Sequence, residues 1–201
     1  MLVDDDKVTF RVVTIGDSSV GKTCIANRFL KDFFDSNQTT TIGAAIDSFI
    51  EERDGQKIEI QICDTAGQEQ YKSLGSVYYR GASAVFFVFD ITNKKSFKNL
   101  DSWLKSYQES GSNNAIFFLV GNKSDLVEER DVDNSEIEKW ANTYNAKYFE
   151  TSAKTGNNIK ELYNALVDAL FESIIKTIPQ VNSVLRPEYE EKSEHKQSGC
   201  C

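Results

Sequence analysis

Apolar residues run without interruption through Ala84-Val85-Phe86-Phe87-Val88-Phe89 and Ala115-Ile116-Phe117-Phe118-Leu119-Val120. A strand with no polar positions is one covered on both faces, as parallel sheets require. Val8 to Ile15 reads as a further strand, and Lys147 to Phe149 as a short last one. Ile58, Ile60 and Ile62 instead alternate with Lys57, Glu59 and Gln61 behind an Asp54-Gly55 turn, the pattern of a half-exposed hairpin. Covering helices are written in two stripes at helical spacing: Phe97, Leu100, Trp103, Leu104 and Tyr107, then Ile159, Leu162, Tyr163, Leu166, Leu170 and Ile174. Together these predict an α/β fold, a doubly wound, mostly parallel six-stranded sheet with one antiparallel edge pair and helices on both faces. Ligands of such sheets sit beyond the carboxyl ends of the strands. The periodicity stops after Ile178, so residues 1–178 predict one domain and 179–201 a polar, flexible tail.

The chemistry is concentrated where the predicted strands end. Gly16-Asp17-Ser18-Ser19-Val20-Gly21-Lys22-Thr23 follows the first strand and matches the phosphate-binding loop G-x-x-x-x-G-K-[ST]. Its glycines let the backbone of Gly16, Ser18, Ser19, Val20, Gly21 and Cys24 wrap a polyphosphate with N–H groups and a helix N-terminus facing the oxygens. Lys22 is placed to reach the terminal phosphates and the Thr23 hydroxyl to ligate a bridging magnesium ion. This loop alone leaves ATP and GTP as equal candidates. Asp64, at the next strand end, is a carboxylate suited to holding that magnesium through water.

The base is selected further along. In Gly121-Asn122-Lys123-Ser124-Asp125, the Asp125 carboxylate can accept two hydrogen bonds from the guanine edge, whereas adenine presents an acceptor there. The mismatch leaves a buried carboxylate unpaired, worth about 10⁴-fold or more in selectivity. Asn122 is placed to pin the loop and the Lys123 stem to cover the face of the base. Glu150-Thr151-Ser152-Ala153-Lys154 can offer the Ala153 N–H to the guanine carbonyl. Three such loops in order at successive strand ends point to GTP or GDP as the ligand.

Composition narrows the setting. The chain has 201 residues, enough for one substantial core, and a formal net charge of -8. That charge argues against nucleic acid and against unaided adsorption to an anionic membrane. No signal-like or membrane-spanning stretch is apparent, and the cysteines suggest no disulfide framework, so a cytosolic protein is expected.

On these residues the sequence resembles the Rab family of Ras-like small GTPases over Lys7 to Ile178 and again at Cys200-Cys201. Thr41-Ile42-Gly43-Ala44-Ala45, Asp64 to Tyr71 and Tyr78-Tyr79-Arg80-Gly81-Ala82 carry the Rab likeness, and Gly43-Ala44-Ala45 is similar to early-endocytic members. The resemblance implies that Thr41 joins Thr23 and Asp64 at magnesium and contacts the γ-phosphate. It implies further that Gly67 donates its N–H to that phosphate, Gln68 orients the attacking water, Phe34 stacks edge-on against guanine, and Lys22, Thr41 and Gln68 serve hydrolysis. The stretch from Asp32 to Ala45 holds no Arg or Lys. Unaided turnover is therefore expected to be slow, on the order of 10⁻⁴ s⁻¹, with roughly 10⁵-fold acceleration by a partner.

The likeness also implies geranylgeranyl chains on both Cys200 and Cys201, the stable two-chain anchor. It is an anchor the tail needs, since Arg186, Lys192 and Lys196 face four glutamates and give no polybasic support. Implied partners are an exchange factor, a GTPase-activating protein, effectors at the switch segments, and prenyl escort and GDP-dissociation-inhibitor proteins, around a monomer reversibly attached to the cytosolic face of an endomembrane, with an endosomal one suggested. Three departures stand out. The aromatic triad that Rab effectors read is here Ile46, Cys63 and Tyr78, which predicts a divergent effector set unless Cys63 merely fills a core gap. Gln70 stands where Arg is common, and Ser18 where Ras has glycine. The activity expected is GTP hydrolysis that times vesicle traffic; the alternatives are a guanine-nucleotide-dependent scaffold and a metabolic phosphate-loop kinase.

Overall fold

The computed structural model describes residues 3–4, 7–67 and 77–184. Its sheet is built on β2 (Lys7–Ile15), which lies parallel both to β4 (Gln56–Thr65) and to β5 (Ala84–Asp90). Beyond β5 follow β6 (Ile116–Asn122) and β7 (Lys147–Glu150), both parallel, while β3 (Ala44–Arg53) pairs antiparallel with β4 at the other edge. The order is β3-β4-β2-β5-β6-β7. This is the expected six-stranded arrangement, with one addition: β1 (Val3–Asp4) pairs antiparallel with the start of β2.

Local chemistry explains the two kinds of strand. Every residue of β5 is buried, which its unbroken apolar run requires. In β4, Ile58, Ile60 and Ile62 are buried and alternate with the exposed Lys57 and the half-exposed Glu59 and Gln61. The β3–β4 hairpin turns at Asp54 (φ 51) and Gly55 (φ 76), between the paired residues Arg53 and Gln56. Two positive φ angles in a two-residue loop match the right-handed twist of the flanking strands.

Helix α1 (Lys22–Lys31) and residues 159–170 of α5 (Ile159–Val184) cover one face, where Phe29 meets Phe86 and Tyr163 edge-on at 5.8 and 5.5 Å. The other face carries α2 (Lys94–Lys98), α3 (Leu100–Gln108) and α4 (Asn134–Thr143). There Val13, Ile15, Phe87 and Phe89 pack with Trp103, Leu104, Tyr107 and Trp140. Each such side chain taken fully out of water contributes roughly 1.5–3 kcal/mol.

Three expectations need adjusting. The helical stripe from Phe97 to Tyr107 is divided between α2 and α3 at Asn99, which is itself helical (φ -71, ψ -14) but sends its side chain to Asp17. The last helix continues past Ile178 through Pro179 to Val184. Proline's fixed φ suits a helix, and its ring removes one backbone hydrogen bond rather than forbidding the turn outright. Cys63 is fully buried in the core with Val13 and Tyr79 instead of facing solvent. A thiol there behaves as a small apolar group, and burial pushes its pKa up. The compact unit holding the sheet reaches Leu170, and a second unit begins at Phe171.

Candidate functional site

At β2 the chain order of the sheet reverses, and the crevice beyond its carboxyl end is where doubly wound sheets bind ligands. A cleft of about 320 Å³ opens there. The loop that floors it must bend back sharply after Ile15. Gly16 has φ 148, and a Cβ would lie 2.1 Å from the Val88 carbonyl oxygen; Gly21 has φ 101, and a Cβ would lie 2.1 Å from Asn122 Nδ2. Neither position admits a side chain. Gly21 is the N-cap of α1 and supplies no side-chain acceptor, so the first amides of that helix stay open to an anion.

Lys22 is buried, and its Nζ donates to the carbonyls of Gly16 (2.9 Å) and Asp17 (2.6 Å). Burial pulls its pKa down to about 8, against the raising pull of Asp64 and Asp17. Asp17 is held in turn by Asn99 Nδ2 and Trp103 Nε1, each donating at 2.7 Å. A Cβ on Gly67 would stand 2.4 Å from Lys22 Nζ, so that backbone lies directly against the ammonium.

Beside the lysine, three oxygens converge. Thr23 Oγ1 donates to Asp64 Oδ2 at 2.6 Å and lies 2.8 Å from Thr41 Oγ1, which is itself 3.4 Å from Asp64 Oδ2. Thr14 Oγ1 donates to the other carboxylate oxygen at 3.1 Å. Burial pushes the Asp64 carboxyl up, opposed first by the Thr23 hydroxyl and then by the Lys22 charge. Among the described residues no group of three or more His, Cys, Asp or Glu is placed to hold a metal. The set formed by two hydroxyls and one carboxylate is nevertheless hard oxygen throughout, and it fits magnesium, which completes its shell with water and phosphate. Thr41 and Gly67 belong to two different loops, joined where the Ala66 N–H donates to the Gly43 carbonyl at 2.8 Å.

The far end of the cleft is built from β6 and β7. Asn122 is buried; its Nδ2 donates to the Val20 carbonyl at 2.9 Å and its Oδ1 accepts from the Ala153 N–H at 3.0 Å. One side chain thus ties the phosphate-loop backbone to the 152–154 turn. Ser152 Oγ donates to Asp125 Oδ1 at 2.6 Å and fixes that carboxylate's aim. Lys154 Nζ approaches its other oxygen at 3.7 Å, and Lys123 Nζ pairs with Asp90 at 2.6 Å.

Most sequence-predicted residues come together here. Ser18, Ser19, Gly21, Lys22, Thr23 and Cys24 line the cleft from below, with Phe34, Thr41 and Gly67 at one side and Asn122, Lys123, Asp125, Ala153 and Lys154 at the other. Gly16, Val20, Asp64 and Ser152 stand behind the wall as supports. The Ala153 N–H, expected to face a guanine carbonyl, is held here by Asn122. Gln68, Gln70, Cys200 and Cys201 lie outside the described residues. Sequence reasoning missed Asp35, Ser36, Gln38, Thr39, Thr40, Thr65 and Leu126 in the lining, and Thr14 and Asp90 behind it. Thr14 had left a signal, a lone hydroxyl between Val13 and Ile15; the others had none.

Known proteins supply an independent comparison. The model of the Ras family matches residues 11–172. Ras-related protein Rab-13 of Mesocricetus auratus is 41% identical over 165 residues, 82% of this chain and 81% of the relative. Ras-related protein Rab-8B of Homo sapiens is 39% identical over 174 residues, 87% and 84% of the two chains. Ras-related protein Rab-8 of Diplobatis ommata is 41% identical over 167 residues, 83% and 80%.

Proposed function

The chain belongs to the Rab branch of the Ras family of small GTPases, and from that premise we propose how its cleft runs a GTP-timed switch in membrane traffic. It binds GTP and GDP with magnesium and hydrolyses GTP. The open N-terminus of α1 and the Lys22 ammonium receive the β- and γ-phosphates, and Asp125, aimed by Ser152, reads the guanine edge. Thr23, Thr41 and Asp64 would hold the magnesium, whose charge would offset the negative charge on the phosphate oxygens. Water attacks the γ-phosphorus in line and the bond to the bridging oxygen breaks, leaving GDP and phosphate. Gln68 orients that water. With the γ-phosphate gone, Thr41 and Gly67 lose their shared ligand, and their two loops are released.

The observation that carries this reading is the meeting of Thr23, Thr41 and Asp64 oxygens beside Lys22, since it makes one loop's position depend on what the other holds. Regulators and effectors follow in general from such a switch. The finer partners are an exchange factor, an activating protein that supplies the missing cation, effectors at the surface where Ile42, Ile46 and Val77 are exposed, and carriers that shield lipids on Cys200 and Cys201. The cytosolic face of an endomembrane is the proposed site of action, and its endosomal identity rests on Gly43-Ala44-Ala45. Single-turnover phosphate release from bound GTP, with and without a Rab-activating protein, tests the switch. Strong acceleration is expected; none would favour a nucleotide-dependent scaffold.

A further inference from the structure

Arg28, in the last turn of α1, has a side chain only 15% exposed. Its guanidinium reaches residues 125 and 126 positions away: Nε donates to the Ala153 carbonyl and Nη2 to the Lys154 carbonyl, both at 2.7 Å. The remaining nitrogen, Nη1, donates to the Asp32 carbonyl at 3.0 Å and to its carboxylate at 3.1 Å. Asp32 is the C-cap of α1 (φ 46), where the chain leaves the helix for the segment bearing Phe34 and Thr41. Its side chain is 91% exposed, so the ion pair itself adds little. The carbonyl contacts are charge-assisted and held by a planar fork, which gives them direction as well as strength.

The two main-chain groups of Ala153 are therefore gripped from opposite sides, the N–H by Asn122 and the carbonyl by Arg28. Helix α1, ten residues and about 15 Å long, carries the phosphate loop at one end and this grip at the other. We infer that Arg28 is a positioning residue for base recognition: it fixes the Ser152–Lys154 turn against α1, and so sets both the preference for guanine and the rate at which the nucleotide leaves. The inference rests on the reading that this turn and Asp125 contact guanine. It adds a grip on that turn from the phosphate-bearing helix, anchored at the start of the segment bearing Phe34 and Thr41.

The test compares the full chain with Arg28→Ala and Arg28→Lys, measuring GDP and ADP affinity by competition, GDP release, and thermal unfolding of the nucleotide-loaded protein. Arg28→Ala is expected to release GDP about ten-fold faster and to lose about ten-fold of its preference for GDP over ADP, as follows from removing charge-assisted contacts. Arg28→Lys, which keeps the charge but places its donors on a single nitrogen, is expected to fall between. A helix-capping role alone would lower the unfolding temperature and leave the GDP-to-ADP ratio unchanged in both variants, and that result overturns the inference. If Arg28→Ala does not fold, the ratio in Arg28→Lys decides. A wild-type protein that itself fails to prefer GDP would instead sink the reading of the cleft, whatever Arg28 does.

Discussion

Gly21 is constrained twice, by its φ of 101 and by Asn122 Nδ2 standing 2.1 Å from where a methyl would go. Gly21→Ala must therefore strain the backbone, a cost of about 1–3 kcal/mol, and displace the amide that ties Val20 to the 152–154 turn. Guanine-nucleotide affinity is expected to drop at least about ten-fold, read by titration with a fluorescent guanine nucleotide. Thr23→Ala asks a different question, because its hydroxyl lies against both Asp64 and Thr41. Affinity for GTP should fall about ten-fold with magnesium present and hardly at all with a chelator; equal losses in both would show that the hydroxyl does not act through the metal. Residues of this kind were legible in the sequence because a loop that wraps phosphate demands fixed types at fixed spacing. Arg28 and Asp90 were not. Each acts through a partner that only the folded chain brings near, and a single charged residue among mostly apolar neighbours carries no mark of that partner.

Strands announced themselves through covering: β5 and β6 by continuous apolar runs, β4 by alternation next to a two-residue turn. Element ends and relations were harder to read. Helices α2 and α3 meet at Asn99, whose side chain reaches across to Asp17, and α5 runs on past Pro179 with one backbone hydrogen bond lost there. Cys63 illustrates a further gap, since alternation in β4 places it off the face of Ile58, Ile60 and Ile62, yet the second helical layer buries that side too. Cys63→Trp would insert a large ring into packed space. It is expected to destabilise the fold by about 1–3 kcal/mol, measured by denaturant unfolding. Unchanged stability would mean the position opens outward and belongs to a partner-reading surface.

For the whole molecule, a net charge of -8 leaves the body no attraction to anionic lipid. The proposed lipidation of Cys200 and Cys201 would then have to supply membrane attachment, and one such chain is marginal where two are stable. Cys200→Ser together with Cys201→Ser is expected to move a tagged protein entirely from membranes to the soluble fraction, seen by fractionation and imaging beside organelle markers. Either single variant should detach partly. Retention of the double variant on membranes would place the anchor elsewhere.

The most direct measurement is amide hydrogen exchange on the purified chain with magnesium, loaded first with GDP and then with a non-hydrolysable GTP analogue. Slower exchange in the loops around Thr41 and Gly67 with the analogue alone is the predicted result, because only the third phosphate gives both loops a common ligand. Equal exchange in the two states, or a chain that retains neither nucleotide, would contradict the account.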